Sequence, residues 1–499
     1  MGIFHWIDAR VDLVGIKRTL LDRAVARNLT WWHTLGSATL AVFIVQAVTG
    51  IVLAMYYSPS PDHALESIRF LERSVASGTV LRAIHHWGAS AMVVLTVAHM
   101  IRVFTMGAYK FPREINWLLG VVLLFIVIGF GFTGYLLPWD QKAYWATQVG
   151  TNIAGTTPLI GGSLVTLLRG GAQQGAATLT RFYSMHVLLL PALLVVVSSL
   201  HLFLVVRQGV APRASELEKN APAKTSDPAY PQYYAHQAHK AKSGGYRFWP
   251  DIITKDVVVA TLIISFLVLF AMFVKAPLEA PADPTDSSYV PRPEWYFLPF
   301  FQLLKLVPGS FESAIAMGVP TLMVLSLLLL PFLDKKSIRT FSRRPGAAFT
   351  LGGVAIATAI LLGASIRDEP KNVIAPEVGR ILTSTERAGR TQFERQQCGG
   401  CHKVAGMAAV PKKSDAPDAP DLTEVGLRHT TAWIHSYLED PVRFHPDSKM
   451  PAYGPPTLSH QEIEELSRYV GSLRGPDPNK APQYVDTFPE PLKAKESSK

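Results

Sequence analysis

Residues 80–104, VLRAIHHWGASAMVVLTVAHMIRVF, decide the fold when read beside residues 181–206, RFYSMHVLLLPALLVVVSSLHLFLVV. Each run is apolar and long enough to cross about 30 Å of hydrocarbon as a helix, and each carries two histidines in place of apolar residues. His85 and His99 stand 14 residues apart, and His186 and His201 stand 15 apart. At ~100° per residue, fourteen steps return a side chain to within ~40° of its start and fifteen to within ~60°, so each pair shares roughly one helix face, ~21–22 Å apart along the axis. Two such helices packed antiparallel present two cross-helix histidine pairs, one toward each membrane face. A single intramembrane histidine is explained by a hydrogen bond to a neighbouring helix. Four at matched spacing point instead to two stacked iron centres, because neutral imidazole is a good axial ligand and a bundle interior is where such cofactors sit. The layout predicts two noncovalent b-type haems, one on His85/His186 and one on His99/His201. His86 lies ~100° round from His85 and reads as a non-ligand.

Glycines and arginines keep the same register. Gly36 and Gly50 are 14 apart in one apolar run, and Gly120 and Gly134 are 14 apart in another. A glycine lets a flat ring approach the backbone, so each can sit beside one haem. Arg82 and Arg181 precede the upper histidines, while Arg102 and Arg207 follow the lower ones. An arginine there serves either as a cationic partner for a haem propionate or as a snorkelling interfacial side chain.

The chain has 499 residues, 48% hydrophobic, with a formal net charge of +10. Its mean hydropathy of +0.20 excludes an ordinary soluble protein. Seven apolar runs, 35–57, 83–101, 115–139, 182–206, 257–274, 313–333 and 345–366, predict an all-α polytopic membrane protein with seven transmembrane helices. No cleavable signal peptide is expected, since residues 1–30 carry five Lys/Arg and read as a short amphipathic segment on the lipid surface. Lys and Arg gather in 1–30, 105–114, 207–256 and 334–344, while the alternate loops are neutral or acidic. The positive-inside rule then places the N-terminus in the cytoplasm and everything after residue 367 outside, as in a bacterial inner membrane. The positive charge reports this topology, so nucleic acid is not an expected partner.

Residues 368–385 read as a linker to a small α-helical domain at 386–475, and the Pro- and Lys-rich segment 476–499 as a disordered tail. The two cysteines of the chain, Cys398 and Cys401, stand in Cys398-Gly399-Gly400-Cys401-His402. Cys-x-x-Cys-His is the attachment motif of a covalent c-type haem, with the histidine as proximal ligand. A thioredoxin-like pair lacks that histidine and comes with a strand–helix pattern absent here. Met450 is the expected distal ligand, Met407 being too near the attachment site. Glu386–Gln397 and Ser459–Leu473 are expected to be the helices that pack around the haem.

With these motifs in hand, the chain resembles cytochrome b of the quinol-oxidising bc and bf complexes. The resemblance rests on the four histidines, on Gly134-Tyr135-Leu136-Leu137-Pro138-Trp139-Asp140 and on Pro293-Glu294-Trp295-Tyr296. The 14/15 spacing and seven helices are similar to the bf type, in which a four-helix and a three-helix half are separate polypeptides. Here 1–208 is the four-helix di-haem half, 209–253 a cytoplasmic connector and 254–367 the three-helix half, with a monohaem cytochrome c fused behind. The resemblance implies that His85/His186 hold the outer haem and His99/His201 the inner one. It further implies that Glu294 takes a proton from quinol at an outer site, with Tyr135 and Tyr296 nearby. One departure is Thr34, where the bf type carries a cysteine tethering an extra haem; no spare cysteine exists for a covalent one.

The function expected is that of a cytochrome b/c subunit of a proton-translocating quinol:cytochrome c (or similar acceptor) oxidoreductase. Quinol is oxidised outside, and a quinone is reduced at the inner face. No Rieske-type Cys/His cluster is present, so the iron–sulfur protein is a separate partner, and a soluble or membrane-bound acceptor takes the electrons. The family implies a homodimer within a larger complex. The competing expectation is a di-haem anchor whose c domain serves another dehydrogenase; Pro293–Tyr296 argues against it. For Glu294 the alternative expectation is a salt bridge to Arg292 or an interfacial acidic residue.

Overall fold

The computed structural model describes residues 2–26, 29–243, 245–284, 289, 291–368, 374–375, 377–378, 380–407, 419–475 and 481–488. The chain divides into two compact units, one of residues 1–278 and 292–367, the other of 279–291 and 368–499.

In the first unit, seven helices are long and apolar enough to cross a membrane. The four of the N-terminal half are α1 (Leu35–Ala54), α2 (Gly78–Thr105), α3 (Glu114–Tyr135) and the long span Ala176–Gln208. Between α3 and that span lie two short helices, α4 (Gln141–Gly155) and α5 (Gly161–Arg169), so the span is α6. Helix α1 packs on α2 and α3 on α6, and Val42, Met92, Val93 and Val127 close the middle of the bundle. The C-terminal half begins with α8 (Ile253–Phe273), which lies against α1 and α2, after the connector helix α7 (Tyr230–Lys242). It continues through α9 (Leu298–Lys305), α10 (Gly309–Leu333) and α11 (Pro345–Arg367). Helix α10 meets α3, where Trp117 Nε1 donates to the Leu327 carbonyl at 2.7 Å. The apolar residues exposed on Ile3–Val11 and Leu13–Leu20, among them Ile3, Phe4, Trp6 and Val14, suit a lipid surface.

Helix α6 contains an irregularity that matters to the site. Residues Met185–Leu189 form one π turn, just before Pro191. A π turn accommodates one extra residue without breaking the helix. The 15-residue interval between His186 and His201 therefore turns like an interval of fourteen, and the two rings return to one face.

The connector is fixed by charge. Lys110 Nζ donates to Asp334 Oδ1 at 2.8 Å and to the carbonyls of Lys336 and Ile338. Arg339 holds the carbonyls of Gly107 (2.7 Å) and Phe111 (2.8 Å), while Glu218 accepts from the backbone of Arg339 and Thr340 at 2.6 Å. Burial would raise the Asp334 carboxyl, but hydrogen bonds from Lys110 and Tyr109 and nearby cations hold it below its ordinary value. Gly107, at φ +56, lets the Arg339 backbone approach; a Cβ there would meet it at 3.2 Å.

The second unit is a small helical domain. Helix α12 (Ser384–Arg395) packs on α14 (His460–Gly471), and α13 (Thr431–Glu439) lies against α14. Both α12 and α14 open on capping boxes, Thr383 with Glu386 and Ser459 with Glu462. Gly389 permits the crossing, since a Cβ would strike the Glu465 carbonyl at 1.9 Å.

Three stretches near the expected boundaries take part in the packing of this unit. Residues 374–375 and 380–381 form an antiparallel pair, and Val378 and Leu382 are buried in the domain core, so the expected linker supplies part of that core. Residues 279–291, expected within the three-helix half, group with this unit, where Asp283 pairs with Arg468 at 3.3 Å. Residues 481–488 of the expected disordered tail lie along the domain. Gln483 and Val485 N–H donate to the carbonyls of Leu427 and Arg428 at 2.8 Å, and the Thr487 carbonyl accepts from Trp433 Nε1 at 3.0 Å. Polar, Pro-rich composition misses these partners because they are backbone groups. The remainder of that tail, 476–480 and 489–499, lies outside the described residues.

Candidate cofactor and quinol sites

The structure brings the four histidines together in two cross-helix pairs. His85 and His186 have ring centroids 6.3 Å apart and an interplanar angle of 74°; His99 and His201 are 6.5 Å apart, also at 74°. That separation leaves room for one metal atom between two imidazoles at metal–nitrogen distances of about 2 Å.

The hydrogen bonds at the far side of the rings set the tautomer. Thr49 Oγ1 donates to the Val45 carbonyl at 2.8 Å, and Thr133 Oγ1 to the Gly129 carbonyl at 2.8 Å. Each hydroxyl has a single proton, so toward His85 Nδ1 (2.9 Å) and His186 Nδ1 (3.0 Å) the oxygen accepts and the ring donates. His201 Nδ1 donates to the Asn116 carbonyl at 3.1 Å. These three rings therefore carry the proton on Nδ1 and keep the Nε2 lone pair for a metal, the usual arrangement of a ligating histidine. His99 Nδ1 is buried with no partner among the described residues.

Each glycine of the sequence register meets one of these rings. A Cβ on Gly36 would lie 3.1 Å from His99, on Gly50 3.1 Å from His85, on Gly134 2.6 Å from His186 and on Gly120 3.7 Å from His201. The imidazoles thus lie directly against glycine backbone, and the residue types permit a planar ring system between the helices. Near the His99/His201 pair, His99 Nδ1, Arg102 Nε and Asn116 Oδ1 are among the buried polar atoms unpartnered among the described residues. The donor set and these open hydrogen-bonding groups fit a haem with acidic side chains.

The arginines divide. Arg82 is buried and committed to protein: Nη1 to Glu72 at 2.5 Å and to the Ala276 carbonyl, Nη2 to the Pro277 carbonyl. Arg181 Nη1 donates to the Thr166 carbonyl at 3.3 Å, and Arg207 is exposed at the end of α6. Of the four, Arg102 is the one with a buried, unpartnered donor among the described residues. His86 has no histidine opposite. Its ring lies against Trp87, and it stands within electrostatic reach of Glu294.

Glu294, Tyr135 and Tyr296 converge. The Tyr296 ring packs on α3, where a Cβ on Gly131 would lie 2.6 Å from its hydroxyl. Both tyrosines lie within electrostatic reach of Glu294. Burial first, and the Glu294 charge second, push the Tyr296 hydroxyl well above its ordinary range, so it remains a hydrogen-bond donor. The expected alternative partner of Glu294 is corrected: Arg292 donates to Ser365, and Glu294 Oε1 pairs with Lys142 Nζ at 2.7 Å. Sequence reasoning missed Lys142, whose signal was its position two residues after Pro138-Trp139-Asp140.

In the second unit, His402 Nδ1 donates to the Pro420 carbonyl at 2.9 Å, again leaving Nε2 for a metal. Cys398 and Cys401 are free thiols. Burial pushes Cys398 up to about 11, opposite to the depressed thiolate of an exchange-active pair. Tyr453 hydrogen-bonds with Cys398 and brings the segment of Met450 beside the motif. Met450 and Met407 both pack on the core; the Met407 sulfur accepts from the Tyr469 hydroxyl at 3.3 Å.

The chain is similar to known proteins. The family described as cytochrome b/b6/petB matches residues 20–209, cytochrome b(C-terminal)/b6/petD matches 281–385, and cytochrome c matches 386–474. The menaquinol:cytochrome c reductase cytochrome b subunit of Bacillus subtilis is 43% identical over 42% of this chain and 97% of its own. The cytochrome bc complex cytochrome b subunit of Chlorobaculum thiosulfatiphilum is 35% identical over 67% of this chain and 73% of its own. A solved hyperthermophilic respiratory Complex III aligns with TM-score 0.62 and 29% identity, over 73% of this chain and 91% of that one. Two imidazole pairs in a glycine-lined membrane bundle, followed by a Cys-x-x-Cys-His domain, are thus a membrane electron-transfer subunit: the chain belongs to the cytochrome b family of cytochrome bc complexes and carries a cytochrome c domain at its C-terminal end.

Proposed function

We propose that the chain is the cytochrome b/c subunit of a quinol:cytochrome c (or similar acceptor) oxidoreductase that oxidises quinol at the outer face, reduces a quinone at the inner face and so translocates protons. His85/His186 and His99/His201 would hold two b haems, and Cys398, Cys401, His402 and Met450 one c haem. When bound, these supply one-electron carriers spanning the membrane and leading out of it.

The observation that carries this reading is the contact of Tyr296 with Gly131. Gly131 and Gly134 are one turn apart on α3, so the Pro-Glu-Trp-Tyr loop sits one turn from the outer imidazole pair. Quinol bound between the loop and the end of α3 would meet the Glu294 carboxylate as proton acceptor and the Tyr296 hydroxyl as donor. Phe297 and Phe132, 6.3 Å apart, help keep water out. One electron of quinol leaves to a separate Rieske iron–sulfur partner, since the chain has no cysteines beyond 398 and 401. On this reading the N-terminus lies in the cytoplasm and the c domain outside a bacterial inner membrane, which the distribution of basic loops supports, and the assembly is a homodimer of the complex.

Glu294→Gln keeps shape and hydrogen bonding but cannot take the proton. Quinol oxidation should slow by ~10²–10⁴-fold with all haem absorbance retained, and wild-type turnover at every pH would refute the assignment. A denaturing gel should retain one haem per chain, the covalent one. Met450→Ala should lower the potential of that haem, since methionine ligation raises it; an unchanged value points to Met407 or His445.

A further inference from the structure

Glu294 turns away from Arg292 and across to a different element. Lys142, on the first turn of α4, places Nζ 2.7 Å from its Oε1, with side chains 25% and 14% exposed. The start of α4 is held in place by Asp140, whose Oδ1 accepts from the Ala143 N–H at 2.8 Å. The other titratable or charged groups facing Glu294 are His86 on α2, Tyr135 at the end of α3 and Tyr296 on its own loop, with Arg82 behind His86 engaged by Glu72. Lys142 is the cation in contact with the carboxylate, and the chemistry described above makes no use of it.

We infer that Lys142 is a positioning residue for quinol oxidation, holding Glu294 as an ionised, proton-accepting carboxylate at the edge of the quinol pocket and releasing it once it is protonated. The inference rests on the proposed role of Glu294. In the step concerned, a quinol O–H bond breaks, a Glu294 carboxyl O–H bond forms, and the electron leaves to the iron–sulfur partner. A neutral carboxyl has no ion-pair attraction to an ammonium, so the contact is strong before the transfer and weak after it. Lysine suits this role because its ammonium is a point charge on a flexible stem, with no bidentate grip to hold the product acid.

The test is turnover of the intact membrane complex with a soluble quinol analogue and an oxidised acceptor, measured across pH. Glu294→Gln runs first and should be slowed at least ~10²-fold. In Lys142→Met the carboxylate loses its ammonium partner, so the acid limb of the pH–rate profile moves to higher pH, modestly because the pair is partly exposed. The variant is then slower below the limb and equal to wild type above it. Lys142→Arg restores the limb, and Lys142→Met added to Glu294→Gln slows it no further. A Lys142→Met profile that is unshifted, or lowered equally at all pH, overturns the role of Lys142 while leaving that of Glu294. Wild-type rate and limb in Glu294→Gln overturn both. Should Lys142→Met lose b-haem absorbance, Lys142→Gln takes its place under the same criteria.

Discussion

The outer and inner histidine pairs have nearly the same ring geometry and different surroundings. Around the outer pair, both imidazoles donate to threonine hydroxyls, Thr49 and Thr133, and a Cβ on Gly134 would stand only 2.6 Å from His186. Around the inner pair, one imidazole donates to a backbone carbonyl, the other has no partner among the described residues, and a Cβ on Gly120 would stand 3.7 Å from His201. On the α1 side the two sites are equally close, 3.1 Å from a Cβ on Gly50 or Gly36, and only on the α3 side is the outer site the tighter. The outer imidazoles have their hydrogen bonds within the protein, whereas the inner site leaves His99 Nδ1, Arg102 Nε and Asn116 Oδ1 for something else to satisfy. Equal ring geometry therefore comes from helix spacing, and the difference in character from the side chains behind the rings.

Deleting one ligand from each pair gives the largest effect. His186→Ala should remove the outer b haem and spare the inner, and His99→Ala the reverse, each halving the b-type absorbance of a reduced-minus-oxidised spectrum. Loss of neither haem in His99→Ala would break the pairing itself. Glycine substitutions come next. Gly134→Ala forces a methyl into His186 and should cost about 1–3 kcal/mol by overpacking, seen as lower outer-haem content and an earlier thermal transition. Gly120→Ala meets only ordinary contact and should stay within about 0.5 kcal/mol of wild type. If the two behaved alike, the contrast between the two sites on the α3 side would be lost. An effect smaller than that of Gly134→Ala is expected of Thr133→Val, which keeps the shape and removes the acceptor at His186 Nδ1. Losing that hydrogen bond is worth about 0.5–1.5 kcal/mol. It should appear as a shift in the outer haem's midpoint potential, with the inner haem's unmoved.

The same contrast explains what could be read beforehand. The helices were legible because crossing lipid demands about 20 apolar residues with internally paired backbone, and the seven runs satisfied that without knowledge of their neighbours. The haem-attachment motif was legible because Cys398, Cys401 and His402 act within five consecutive residues. The arginines were not, because an arginine's role depends on which acceptors reach it. Arg82 faces Glu72 and two carbonyls from around residue 276, nearly 200 positions away. Lys142 was invisible for the same reason, its partner lying 152 residues along the chain.

By itself, the sequence determined the membrane class, the two histidine intervals, the glycines in step with them and the c-type motif, all of which are local or periodic properties of a helix. Tertiary structure alone decided the rest. A π turn at Met185–Leu189 absorbed the fifteenth residue between His186 and His201, polar groups from remote segments set the imidazole tautomers, and Glu294 found Lys142 rather than Arg292. The physical reason is range: hydrophobic periodicity is encoded by neighbours a few residues apart, whereas a hydrogen bond or ion pair is satisfied by whichever distant group the packed helices bring within about 3 Å.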